Sequence, residues 1–302
     1  MGQAWLRMIS SRANNSLAGD ILSPAAYGKE LDLIALLCAT PMEFAGILPL
    51  LHDVMDEECP GGMRLVTGKS GAGDVLVLAA GIGKVSSASG TRFVMDNYDL
   101  DSLLICGTAG ALSPQVRVGD LVISTKLIPG DVGIARSEGL SPTGPGILEE
   151  GKLVFCPSFA ASAAMIERAR AAADTAGLSY RQGGILTCDQ IIFDTELRSH
   201  LGDIFGALAV EMEGAAAAQV AAGDGLPFVA VRGISDELSH DFPGLEALLH
   251  YRGQTRYNLW RKRLKLSVTD TNTLAGAKEL ARGGKLAMRN VACFLEAFLG
   301  DG

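Results

Sequence analysis

"ALAVEMEGAAAA", residues 207–218, decides how the chain is read. Its first half is apolar and of strand length. Its second half is a run of small helix formers. Glu211 and Glu213 flank Met212 at the joint, where a core is being built. The same grammar recurs on both sides. "LIALLCAT" (33–40), "VLVLAAG" (75–81), "SLLICGTAGAL" (102–112), "GDLVISTKLI" (119–128), "GGILTCDQII" (183–192) and "PFVAVRGI" (227–234) read as strands. Helical patterns fall between them: Met42 to about Met55, Lys84 to Tyr98, Ser158 to Ala176 with Ser158 as cap and Gly177 as stop, and Glu213 to Ala222. A closing helix runs from about Leu274 to Leu299, and Gly283-Gly284 inside it speaks against one unbroken helix. Residues 129–152, rich in Gly, Pro and Ser, read as a loop. Near-continuous apolar strands alternating with helices imply an α/β fold whose central sheet is covered on both faces.

The totals agree. The chain has 302 residues, 48% hydrophobic and 20% charged, enough for a sizeable core. The formal charge is −8, which argues against nucleic acid or an anionic membrane as partner. Six cysteines form no CxxC and no cluster with the four histidines, so the thiols read as reduced and cytoplasmic, with no metal site and no cofactor expected. No apolar run reaches the roughly 18 residues of a spanning helix. The first twenty residues lack the apolar stretch of a signal peptide, and Leu6 stands where a myristoylation signal wants Ser or Thr. The expected organisation is an N-terminal extension over 1–30 and one domain over 31–302. Residues 241–272 break the alternation with six basic residues and Trp260, and read as an insertion that serves as a lid, an interface or a solvated face.

Ligands in such folds gather at the carboxyl ends of the strands. Glu43 follows the first strand, Thr108 stands among glycines, Glu211 and Glu213 end "ALAVEMEG", and Arg232, Ser235 and Asp236 end "FVAVRGISD". Each acid alone equally suits a solvated or capping residue: Asp236 could cap a helix, and Glu213 could sit in a first turn. Together they indicate a site. Two phosphate-loop patterns are rejected. "TGKSGAGD" (67–74) has Met63 where the leading Gly is required, and "AGIGKVS" (80–86) has Ser86 at the third glycine position. Gly81 and Gly83 still make a tight turn into a helix N-terminus that can approach a ligand closely.

The ordered series "CATPMEF", "AAGIGKVSSA", "CGTAGALSPQVRVGDLVIS", "GGILTCDQII", "AVEMEGAAAAQVA" and "PFVAVRGISD" resembles the nucleoside phosphorylase/nucleosidase family, most closely the 5′-methylthioadenosine/S-adenosylhomocysteine nucleosidases. The resemblance covers roughly 32–240, with "VEMEGAA" and "RGISD" its most specific pieces. It implies a single three-layer-like α/β domain with a mixed, partly barrel-like sheet, and a homodimer or larger homo-oligomer acting on a small-molecule nucleoside. It also implies roles. Asp236 protonates the purine at N7, and Glu43 activates water. Glu213 and Glu211 surround the ribose, and Met212 packs its face. Arg232 and Thr108 position the water. Ile191, Ile192, Ser235 and Gly81 belong to the substrate site.

The residue types suit that chemistry. Breaking an N-glycosidic bond makes the ribose cationic in the transition state, where carboxylates help most. The leaving purine needs a proton, so one acid stays protonated while another stays ionised. A phosphorylase would instead need convergent cations, and only Lys84 and Arg232 stand near. Gly130, in "LIPGDVG", replaces a bulky pocket residue of the relatives and leaves room for a larger 5′ group, as in S-adenosylhomocysteine or a futalosine-type nucleoside. A non-catalytic nucleoside-binding protein on the same fold is the remaining alternative.

Overall fold

A computed structural model describes residues 33–71, 73–136, 139–240 and 271–300. The N-terminal extension and nearly all of the 241–272 insertion lie outside them. The unbroken apolar run of β1 (Ile34–Cys38) is buried along its whole length. Its residues alternate between two cores: Ile34, Leu36 and Cys38 enter one, Ala35 and Leu37 the other. Each of the isoleucine and leucine side chains contributes about 1.5–3 kcal/mol relative to exposure.

Chain order continues with α1 (Pro41–Ile47) and a 3₁₀ turn (Leu48–Leu50), then β2 (His52–Glu57), β3 (Arg64–Ser70) and β4 (Gly73–Ala79). Helix α2 (Lys84–Asn97) leads to β5 (Ser102–Ala111) and β6 (Leu121–Pro129). Two small hairpins follow, β7 (Gly133–Arg136) with β8 (Gly139–Pro142), and β9 (Gly146–Glu149) with β10 (Lys152–Phe155). Then come β11 (Phe159–Ala160), α3 (Ala163–Thr175), β12 (Tyr180–Thr187), α4 (Thr195–Phe205), β13 (Ala207–Glu211), α5 (Gly214–Gly223), β14 (Phe228–Asp236) and α6 (Thr271–Leu299).

The main sheet runs β11-β6-β12-β13-β5-β1-β4-β3-β2. β14 pairs parallel with β5 and antiparallel with β6, which closes β5, β14, β6, β12 and β13 into a ring. The mixed, partly barrel-like sheet is thus present. One core packs residues of α1, α3 and α6 against it, the other residues of α2 and α5.

Several expectations are corrected. The helix over 42–55 stops at Ile47, because Pro49 has no amide to continue the α-helical ladder, and the chain turns into the edge strand β2. The rejected "TGKSGAGD" stretch lies in the paired ends of β3 and β4, with Lys69 opposite Asp74 and Ser70 opposite Gly73. The 129–152 loop contains the two hairpins. Helix α3 begins at Ala163, not beside Ser158, since Phe159 and Ala160 pair with β6. β12 ends at Thr187, so "CDQII" lies beyond the strand, and α4 was not foreseen. Asp236 ends a strand and caps no helix among the described residues. α6 is continuous through Gly283-Gly284. A Cβ at Gly283 would overlap the Ser235 carbonyl oxygen, so this glycine lets α6 lie directly on β14.

Candidate active site

Glu43 is fixed by its own helix start. Thr40 is the N-cap of α1, and Glu43 closes a capping box with it. Glu43 Oε2 accepts from the amides of Ala39 and Thr40 and from Thr40 Oγ1, each at 3.0 Å. Oε1 accepts from the Thr108 amide at 3.0 Å, with Thr108 Oγ1 at 3.5 Å. The carboxylate is 3% exposed. It lies over Gly107, where a Cβ would overlap Oε1 and stand 2.6 Å from Arg232 Nη1. The close approach of acid and cation therefore requires this glycine.

Glu211 ends β13 and is enclosed by donors. Thr187 Oγ1 donates to its Oε1 at 2.5 Å, the amides of Glu213 and Gly214 donate at 3.0 and 2.8 Å, and Arg232 Nη2 pairs with Oε2. Glu213, at the N-terminal boundary of α5, is looser. Its Oε1 accepts from the Gly83 amide at 3.0 Å, and its Oε2 lies 3.5 Å from Arg232 Nη2. Burial, then the neighbouring Glu211 charge, push the Glu213 carboxyl up to about 7, against the pull of Arg232 and the Gly83 amide. Burial opposes the Arg232 charge, but Glu211, Glu213 and Glu43 outweigh it and raise the guanidinium pKa further. Arg232 Nε is buried with no partner among the described residues.

Asp236 lies four residues further along β14 than Arg232, but a bulge between Ile234 and Asp236 shortens the span to three residues of β5, roughly 10 Å at strand spacing. The two residues stand opposite Gly110 and Gly107 of β5, respectively. Asp236 Oδ2 pairs with Arg198 Nη2 at 2.8 Å. Ser235 Oγ lies 2.6 Å from Asp236 Oδ1 and 3.1 Å from the Ala109 carbonyl oxygen. A Cβ on Gly110 would stand 3.0 Å from Asp236 Oδ2.

Lys84, at the N-terminus of α2, is held by two acids. Its Nζ lies 2.5 Å from Asp131 Oδ1 and 3.6 Å from Asp189 Oδ2, and its amide donates to Asp189 Oδ1 at 2.9 Å. Burial works against its charge, but these acids more than offset it and raise its pKa.

The expected residues divide into two groups. Glu43 with Thr108, and Glu211 and Glu213 with Arg232, form two bonded sets that meet over Gly107, with Asp236 and Ser235 further along β14. Gly81, at φ 98°, donates to the Ala39 carbonyl beside Glu43's partners. Met212 is half-buried. Ile191 is exposed, while Ile192 is partly buried against the small core cluster that contains Leu112, Leu186 and Val210. The room expected at Gly130 is filled: a Cβ there would stand 2.6 Å from Cys188 Sγ and 2.7 Å from Leu186. This glycine accommodates packing against β12 and its following residue. Among the described residues no group of three or more His, Cys, Asp or Glu side chains could hold a metal ion, and no helix is long and apolar enough to cross a membrane.

Thr187, Arg198, Asp131 and Asp189 were not singled out from the sequence. Thr187 closes an apolar strand, which could have flagged it as Glu211 was flagged. Arg198 lies on an unforeseen helix whose cap, Asp194, accepts from the Leu197 amide, and that cap was the available signal.

Residues 33–249 match the phosphorylase superfamily. Among relatives, the 5′-methylthioadenosine/S-adenosylhomocysteine nucleosidase of Mycobacterium bovis is 30% identical over 217 residues, 67% of this chain and 85% of that one. Among solved structures, the corresponding nucleosidase of Neisseria meningitidis in complex with methylthio-immucillin-A superposes with TM-score 0.67 at 23% identity, covering 89% of this chain and 99% of that one. The futalosine hydrolase of Helicobacter pylori gives TM-score 0.64 at 24% identity, covering 88% and 97%.

Proposed function

The chain belongs to the phosphorylase superfamily, and from that membership we propose that it hydrolyses the N-glycosidic bond of 5′-methylthioadenosine and S-adenosylhomocysteine, releasing adenine. The observation that carries water over phosphate is that, apart from Arg198, which is paired with Asp236, two cations stand near among the described residues and both are committed. Lys84 is taken by Asp131 and Asp189, and Arg232 by Glu211 and Glu213. Neither is left to bind a dianion, which needs convergent donors.

In this reading Asp236 is the acid that protonates purine N7. Glu43, oriented by three donors on one oxygen, takes a proton from water. Arg232 and Thr108 orient that water, and the unpartnered Arg232 Nε is a donor its oxygen can meet. Glu213 grips the ribose hydroxyls. Glu211 acts through the cluster, since its oxygens are already engaged. Met212 packs the sugar, and Ile191, Ile192 and Gly81 border the substrate. The carboxylates favour the cationic sugar of the transition state over the neutral ground state.

The fold is shared with a futalosine hydrolase, so fold alone does not choose the substrate. The Mycobacterium bovis relative favours the adenine nucleosides, and the packed surroundings of Gly130 remove one reason to expect an enlarged 5′ pocket. A role in methionine salvage follows from such substrates. Exposed Met42, Ile82, Val85 and Ile191 stand beside site residues and support a homodimer that covers them. Six free cysteines fit a cytoplasmic location. Adenine release from each nucleoside, measured with and without phosphate, tests the reading. Turnover only with phosphate would replace it with a phosphorylase. Tight binding without turnover would replace it with a nucleoside-binding protein.

A further inference from the structure

Arg198 is fully buried, and nothing in the reaction just described uses it. It reaches from α4 to the far ends of β5 and β14. Its Nε and Nη2 donate to the Ala111 carbonyl at 3.1 and 2.8 Å, and Nη2 also holds Asp236 Oδ2 at 2.8 Å. Nη1 is buried with no partner among the described residues, so the guanidinium is not arranged to maximise its own hydrogen bonding.

The other oxygen of Asp236 permits a proton count. Ser235 has one hydroxyl hydrogen and two close acceptors, the Ala109 carbonyl and Asp236 Oδ1. If that hydrogen goes to the carbonyl, the 2.6 Å contact needs its own hydrogen, and only Asp236 Oδ1 can carry it. A guanidinium is a donor only, so Oδ2 beside Arg198 must remain an acceptor. Where Asp236 acts as the acid of the reading above, its proton therefore belongs on Oδ1, because Oδ2 faces a group that can only donate.

We propose that Arg198 is a positioning residue which keeps Asp236 Oδ2 as an acceptor and so assigns the transferable proton to Oδ1. The inference rests on the nucleosidase reading above. As the C1′–N9 bond breaks, its electron pair goes to the purine, and the Oδ1 proton passes to N7. Water oxygen bonds C1′, and its proton passes to Glu43. The charge appearing on Asp236 then develops against a guanidinium already in place, which is a stabilisation realised in the transition state.

The test compares two leaving groups. Adenine needs a proton to depart. The 4-nitrophenolate of a 5′-methylthio-ribofuranoside does not. Arg198→Met is expected to lower kcat on methylthioadenosine by about 30- to 300-fold, inside the usual span for an acid catalyst, with KM within about threefold. Hydrolysis of the nitrophenyl riboside is expected to stay within about threefold, and Arg198→Lys to recover about tenfold of the lost kcat on methylthioadenosine. Should the methionine variant fail to fold, Arg198→Gln and Arg198→Lys carry the same comparison. Equal losses on both substrates, or a folded variant with unchanged kcat on methylthioadenosine, would overturn the assignment alone. A wild type inactive on adenine nucleosides would overturn the nucleosidase reading and this inference with it.

Discussion

Glu213 couples the site to pH. Folded, its carboxyl holds a proton up to about pH 7, against 4.5 as its ordinary value. The folded chain therefore binds an extra proton between those values, and the stability this brings is complete below about 4.5 and gone once pH passes 7. Wild-type melting temperature should fall more between pH 5 and pH 8 than that of Glu213→Gln; parallel profiles would refute the raised carboxyl. The same titration governs binding, since an ionised Glu213 is the stronger acceptor for ribose hydroxyls. KM should decrease as pH rises through about 7 and become flat, and about 10- to 100-fold higher, in Glu213→Gln. Asp236→Asn should cut kcat by about 10²–10⁴-fold while adenine nucleoside binding survives, as steady-state rates and calorimetry would report. Near wild-type turnover in that variant would remove Asp236 as the acid. Arg232→Met should cost about 3–5 kcal/mol in chemical denaturation, because Glu211 is left as a buried, unpaired charge. The acids were legible because charge is conspicuous at the end of an apolar strand. Arg198 was not, since its partner Asp236 is 38 residues away and the link exists only once α4 docks.

Elements were legible where one physical signal dominated. β1, β5 and β14 are buried on both faces, so their apolar runs are unbroken and hard to misread. β2 is exposed over most of its length and reads "HDVMDE", with no apolar face to betray it. The β9–β10 hairpin is likewise largely exposed, and its glycines, with Pro145 and Pro157 flanking it, read as loop. Gly283 and Gly284 show why propensity misleads inside a packed helix. Gly283→Ala would drive a methyl into the Ser235 backbone, and should destabilise the protein by about 1–3 kcal/mol and lower activity through the adjoining Asp236. A Cβ on Gly284 meets nothing within 4 Å, so Gly284→Ala should stabilise it by about 0.5–1 kcal/mol. Denaturation midpoints of the two variants should move in opposite directions; movement of both in the same direction would contradict the packing of α6 on β14.

At the scale of the whole domain, closure of the sheet brings the site together. β14 pairs with both β5 and β6, and β13 with both β12 and β5, so residues from four separate segments face one floor of small residues, Gly107 to Gly110. The alternation of strands and helices foretold a sheet covered on both faces. It could not foretell the ring, because antiparallel pairing of β13 with β5 and of β14 with β6 leaves no mark in the apolar pattern. The closed arrangement also brings acids to Lys84 and Arg232, which is the basis for choosing water as nucleophile. The most direct measurement is adenine release from methylthioadenosine in phosphate-free buffer, followed by addition of phosphate. The account predicts full turnover without phosphate, free methylthioribose as the sugar product, and no acceleration on addition. Turnover that begins only with phosphate and yields the sugar 1-phosphate would contradict it.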